Sequence, residues 1–120
     1  MTRPHRPPDL VVNFHLAVLR DDGTSKNVRS GYRPAYYVMP DYWSSARHEF
    51  LDEDGINTGE TGLAEVWLLT PEVYPATFWS GRCVEVAEGS RIVGTAEVVS
   101  VINPILKSPE SDDTTDATEK

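Results

Sequence analysis

Between residues 10 and 18 every even position is apolar: Leu10, Val12, Phe14, Leu16 and Val18. The odd positions mix Val11 and Ala17 with Asn13 and His15. A repeat of two is that of a pleated strand with one buried face, and a helix cannot gather those five side chains on one side. The chain elsewhere agrees, because no segment carries a convincing helical stripe. Arg20-Asp21-Asp22-Gly23 ends the first run, and Asp-Gly tolerates positive φ. The polar stretch from there through Ser30 predicts a hairpin connection longer than the tightest type.

A second strand is predicted over residues 32–39, rich in aromatic and branched side chains. Pro34 lies inside it and cannot donate to a ladder, so this end is expected at an edge or a bulge. Residues 40–62 read as a long loop, with a short strand at 48–51 and a turn at Asp54-Gly55. A third strand is predicted over 63–69. Pro71 and Pro75 exclude a helix in the segment that follows, and 72–78 reads as a crossover. Residues 82–87 and 91–102 form two strands joined by Glu88-Gly89-Ser90, a short hairpin. Strands at hairpin spacing without helices indicate a small antiparallel barrel or sandwich.

The length of 120 residues suits one domain. Residues 1–8 are Pro-rich and basic through Arg3 and Arg6, and residues 107–120 contain no aromatic and no apolar run. Neither end buries enough surface to offset its ordering entropy, so both are expected to be disordered around a body at 9–106. No apolar run approaches the roughly 20 residues that span a bilayer, and no export signal is read. The single cysteine, Cys83, excludes an internal disulfide framework and fits a reducing, cytoplasmic setting. The net charge of −8 lies mostly on the body and repels phosphate backbones.

Gly31-Tyr32-Arg33-Pro34, followed by Ala35-Tyr36-Tyr37, resembles the GYRPQFY segment of the third, carboxy-terminal domain of elongation factor Tu. The stretch GRCVEVAEGSRIVGTAEVV at 81–99 is similar to that domain's final hairpin, GLRFAIREGGRTVGAGVV. Together with the first and third strands, the resemblance covers most of residues 9–103. It implies an all-β fold, a six-stranded antiparallel barrel of Greek-key type. The full factor hydrolyses GTP on a separate domain, and this chain has no GxxxxGK[ST] phosphate loop, so no nucleotide and no cofactor is expected.

In the family this domain grips the T-stem of aminoacyl-tRNA and binds protein partners. The resemblance carries the tRNA grip to three places. The glutamine after GYRP is Ala35 here, the RTTDVTG stretch is MPDYWSS at 39–45, and the glutamate opening the last turn is matched by Glu88. Gly31, Tyr32 and Pro34, with Gly89 and Gly94, read as residues of the fold: Gly31 for a positive φ where a loop enters a strand, Gly89 for the turn, Gly94 for a bulge or close approach. Arg33 either clamps neighbouring aromatics inside the molecule or forks onto a carboxylate. Arg91 points outward if Ile92 points in, which makes it a partner contact.

Other clusters compete for chemistry. His48-Glu49 with Asp52-Glu53-Asp54 offers one imidazole and four carboxylates, a hard-cation set that nevertheless lacks the EF-hand pattern and reads as a solvated acidic loop. His15 reads as an exposed strand residue. Cys83 reads as a buried structural thiol, and Ser44, Ser45 and Ser90 lack a nucleophile context. Eight aromatics, Tyr36, Tyr37, Tyr42, Trp43, Trp67, Tyr74, Phe78 and Trp79, exceed the needs of one face of a small barrel. Tyr42-Trp43 is expected to be exposed as an anchor for a protein partner. The reading is a non-enzymatic binding module, a mimic or decoy of the factor, that uses Arg33, Tyr42, Trp43, Glu88 and Arg91, with no metal and no membrane. The alternatives are a translation-related module keeping a reduced tRNA grip and a metal-dependent enzyme built on residues 48–54.

Overall fold

In the computed structural model, which describes residues 6–18 and 23–108, the alternating run becomes β1 (Leu10–Leu16). Leu10, Val12, Phe14 and Leu16 are all fully buried. The chain continues through β2 (Asn27–Arg29), β3 (Ala35–Met39), β4 (Tyr42–Phe50), β5 (Gly55–Asn57) and β6 (Thr61–Leu68). A 3-10 turn at Pro71–Val73 precedes β7 (Cys83–Glu88) and β8 (Arg91–Val101). Six strands close an antiparallel barrel in the order β1-β6-β4-β3-β7-β8, and β8 pairs back onto β1. β2 and β5 form a separate two-stranded sheet. The molecule is thus all-β with a closed six-stranded barrel. No helix among the described residues is long and apolar enough to cross a membrane.

The final hairpin forms as expected, with Glu88 opposite Arg91 and a bulge between Val86 and Ala87. Two expectations are corrected. β1 does not form a hairpin with the next segment; its neighbours are β6 and β8, and the polar stretch leads instead into β2 of the side sheet. Turn residues mark where a strand stops, not which strand it pairs with. Residues 40–62 are not a long loop either. They hold the nine-residue β4, the short β5 and the start of β6. β4 escapes a hydrophobic pattern because its inward positions are Ser44, Ala46, His48 and Phe50, while Tyr42 and Trp43 are exposed. Only the turn at Pro40 and Asp41, with Asp41 at φ 69°, separates it from β3. Pro34 lies just ahead of β3, where its carbonyl accepts from the Ala46 amide, and the β3–β4 bulge falls between Tyr37 and Met39.

Both barrel ends are closed by apolar side chains. Val28 and Ile56 of the side sheet join the core cluster, as do Tyr74, Phe78 and Leu106 from the two segments after β6 and β8. Of the ends read as disordered, residues 1–5 and 109–120 lie outside the described residues. The body takes in a little more at each side. Arg6 donates to the Leu68 carbonyl at 2.7 Å, and Lys107 bridges to Phe78.

Asp9 closes the seam. Its carboxylate is fully buried and accepts from the Leu68 amide at 2.7 Å, the Asn103 side-chain amide at 2.8 Å and the Arg6 guanidinium at 2.7 Å. Its backbone carbonyl accepts from Ile102 and Asn103, and its N–H donates to Val66. One residue therefore ties the strands on both sides of β1. Asp9→Ala is expected to cost about 3 kcal/mol in urea unfolding, because the buried donors lose their acceptor.

Gly94 has a different reason to be glycine. A Cβ there would lie 2.0 Å from the His15 carbonyl oxygen on β1. Gly89 needs only its positive φ of 60°, with open space around it. Gly94→Ala is expected to lose about 3 kcal/mol, the upper part of the overpacking range. Gly89→Ala should lose about 1 kcal/mol in the same assay.

Candidate functional site

The β3–β4 register extends beyond β3. Ala35 faces Ser45 and Tyr37 faces Trp43, and the amides of Ala46 and His48 donate to Pro34 and Tyr32 in the same phase. That phase sets Arg33 opposite Arg47, and Arg47 in turn pairs with Trp67 of β6. Alternation sends Tyr36, Val38, Ser44, Ala46 and His48 inward, where all are buried. The outer wall of β3 and β4 therefore carries Arg33, Ala35 and Tyr37 beside Arg47, Ser45 and Trp43. It is cationic toward one end, aromatic at the other, and small in the middle.

At the aromatic end Tyr42 is 56% and Trp43 41% exposed, as expected from the sequence. Trp43 is steadied by an edge contact with Tyr37 at 5.2 Å between ring centres. A shallow groove of about 450 Å³ runs from Trp43 and Ala35 to Ala87, Gly89, Ser90 and Ile92, so the last hairpin turn flanks the same aromatic. Ile92 is 41% exposed and Arg91 is exposed too.

At the cationic end a pocket of about 220 Å³ is lined by Arg6, Arg33, Arg47, Ser45, Trp67 and Leu69, among others. Arg47 is buried and pairs with Glu49 at 2.6 Å. Trp67 points outward in the strand yet is buried, and its indole donates to the Arg6 carbonyl at 2.8 Å. Arg33 is exposed and forms no hydrogen bond or ion pair with described residues, so it is not an internal clamp.

Glu88 is used differently from the open position suggested by its turn. It accepts from the Tyr32 hydroxyl at 2.5 Å and pairs with Lys26 at 3.3 Å. Burial, reinforced by the Glu88 carboxylate, holds the Tyr32 phenol well above its ordinary range, so it stays a donor. Gly31 has φ 98° and donates to the His48 carbonyl. The Gly-Tyr-Arg-Pro segment thus locks the β3 entrance through Tyr32 and frees Arg33.

The residues weighed as a cation loop are not brought together. His48 lies fully buried in β4, while Asp52, Glu53 and Asp54 are exposed at the following turn. No group of three His, Cys, Asp or Glu able to hold a metal occurs among the described residues. Cys83 is exposed rather than buried, because it opens β7 on the outward phase. His15 is half-buried, with Nδ1 3.0 Å from the Thr61 hydroxyl.

His48 instead sits in an aromatic cage. Phe14, Tyr32, Tyr36 and Phe50 meet its ring edge-on at 4.9–5.8 Å. Its Nε2 lies 2.6 Å from the Tyr36 hydroxyl. Desolvation lowers its pKa from 6.5 to about 3, so the ring is held neutral beside the phenol.

Sequence reasoning missed three supporting residues. Asp9 was hidden in a Pro-rich prelude, and Arg6 looked like part of a free arm. Arg82 lies over Phe78 at 5.0 Å and Trp79 at 5.2 Å, and its guanidinium donates to the Thr77 and Val38 carbonyls. Its signal was the aromatic pair three and four residues upstream. No protein-family model matches the chain, and no curated protein matches it.

The cage has a pH signature. The unfolded imidazole takes a proton near pH 6.5 and the folded one only near pH 3. Between those values the unfolded chain binds more protons, so stability is full above pH 6.5 and falls toward pH 3, by up to about 1.4 kcal/mol per pH unit. Urea unfolding across that window should show a steeper acid decline for the native chain than for His48→Leu.

Proposed function

We propose that this chain is a non-enzymatic docking module that holds a protein partner on the outer wall of β3 and β4. The observation that carries the reading is that Trp43 and Arg33 stand exposed on one outer wall, with Tyr42 exposed beside Trp43 at the strand tip, on a barrel whose interior is already filled. Large exposed aromatics beside an unengaged guanidinium are the residue types that anchor protein interfaces. Closure removes free sheet edges from the barrel, so its surface acts through side chains rather than strand addition. Arg91 and Ile92 extend the wall across the last hairpin. Glu88 supports it indirectly, by fixing Tyr32.

The resemblance to the third domain of elongation factor Tu suggests the kind of partner: a protein that engages the full factor, with this module as a mimic or decoy in a translation-related, cytoplasmic role. A reduced tRNA grip is the second reading, favoured by the three arginines of the pocket. Against it stand the net charge of −8 and the commitment of Glu88 to Tyr32 and Lys26.

The full chain used as bait in a native extract should recover a protein in stoichiometric amount. Tyr42→Ala, Trp43→Ala should weaken that capture by about 30-fold or more, the effect of losing at least one hot spot of ~2 kcal/mol. Both side chains are exposed, so the thermal melt should hardly move. Capture indifferent to the double substitution would sink the reading. Retention of tRNA at low salt, falling by about 0.7 to 0.9 log units per log salt for each neutralised phosphate, would install the RNA reading instead.

A further inference from the structure

We infer that Asp54-Gly55, at the edge of the β2–β5 sheet, is a site of spontaneous succinimide formation, and that its isoaspartate product unfastens this sheet from the end of the barrel. The inference is independent of any partner. Among the described residues Asp54 is the only aspartate followed by glycine. The fold itself demands that glycine. A Cβ on Gly55 would lie 2.2 Å from the Val28 carbonyl oxygen and 2.9 Å from the Arg29 Cα. Close approach of β2 therefore forces the least hindered of backbone amides into the place next to a side-chain carboxyl.

The ladder leaves that amide available. Ser30 donates to the Asp54 carbonyl at 2.8 Å, and Thr58 donates to Lys26 at 2.9 Å. In this phase Val28 and Ile56 are the hydrogen-bonded pair. Arg29 and Gly55 are the intervening pair, whose N–H groups turn away from each other. Asn57 is turned the same way, and the Glu60 side chain caps its N–H at 2.8 Å. Gly55 has no such cap among the described residues. Asp54 is exposed and Gly55 half-buried. The Ser30–Asp54 bond is also the last rung of its sheet, and residues 52–54 ahead of it are bends outside any strand. A terminal rung of a two-stranded sheet opens at little cost.

The reaction needs water alone. The Gly55 nitrogen attacks Asp54 Cγ, an N–Cγ bond forms, and the amide proton leaves with the carboxyl hydroxyl as water. A second water opens the five-membered imide. Cleavage of the new bond restores aspartate. Cleavage between the nitrogen and the old backbone carbonyl carbon routes the main chain through Cβ and Cγ, which is isoaspartate at unchanged mass. The backbone gains one carbon, and the carbonyl that held Ser30 becomes a side carboxylate. Gly55 then leaves its register with Arg29. Val28 and Ile56, buried against the core from this sheet, lose the frame that aims them inward.

The test ages the full chain at neutral pH and body temperature, beside a synthetic peptide of residues 50–58. The tryptic fragment 48–82 separates this site from Asp22-Gly23, and backbone fragmentation in a mass spectrometer distinguishes the two linkages. Isoaspartate at 54 should accumulate in the folded chain within about tenfold of the peptide rate, a protection of at most about 1.4 kcal/mol. A species one water lighter should precede it. Asp54→Glu should abolish the product, because six-membered closure is far slower, and should leave the melt unchanged. In the converted population the Val28 and Ile56 amides should exchange at least tenfold faster, while those of β1 and β6 keep their rates. Isoaspartyl methyltransferase with S-adenosylmethionine should restore the slow exchange. A folded-chain rate more than tenfold below the peptide's, product that persists in Asp54→Glu, or conversion that leaves Val28 and Ile56 exchange untouched would each overturn the inference.

Discussion

A buried carboxylate with three donors holds the seam of this barrel. A closed sheet has one strand whose two neighbours come from distant parts of the chain, and here that strand is β1, flanked by β6 and β8. Strand pairing alone satisfies its backbone. It does not fix where the strand begins, and a slip of one residue would turn Leu10, Val12, Phe14 and Leu16 toward water. Asp9 sets that phase, because its carboxylate reaches the Leu68 amide on one side and Asn103 on the other. Burying an ion is costly, and three short hydrogen bonds, one of them from a guanidinium, offset the cost.

With the seam set, the interior has little freedom left, and function moves outward. The core is filled by alternating aliphatics, by the caged His48, and by Tyr74, Phe78 and Leu106 at one end. Tyr36 and Tyr32 hold polar groups in place at the two sides of the histidine, and each phenol is kept protonated by its burial. What remains open to solvent and to partners is the outer wall of β3 and β4. Its second strand is unlike a half-buried strand, since β4 turns Ser44, Ala46 and His48 inward and Trp43 and Arg47 outward.

That inversion explains how much could be seen before the structure. β1, β6 and the last hairpin follow an apolar period of two, and they were legible from residues 10–18, 63–69 and 82–102. β4 was not, because Ser44, Ala46 and His48 fill its inner positions and mimic a loop. Cys83 was misplaced for a related reason. A lone thiol is commonly buried, but its phase in β7 points it outward. Within the candidate site, Tyr42 and Trp43 were legible as exposed aromatics in a Pro-flanked turn. The facing of Arg33 and Arg47 was not, since it depends on register between two strands, one of which had not been recognised. Asp9 and Arg82 act through contacts 59 and 44 residues away, to Leu68 and Val38, which no local pattern records.

The route of the chain at the Asp9 pole has a topological corollary. The incoming segment, Arg6 through Asp9, and the outgoing one, Ile102 through Pro104, line one shared hollow. The two chain directions thus meet side by side, at the barrel end opposite the β2–β5 sheet. A unit with that geometry can be spliced into a surface loop of an unrelated host, because its doorway is narrow and both jambs stand together. Permuted versions with new ends at the Gly89-Ser90 turn would need only a brief linker across the old gap.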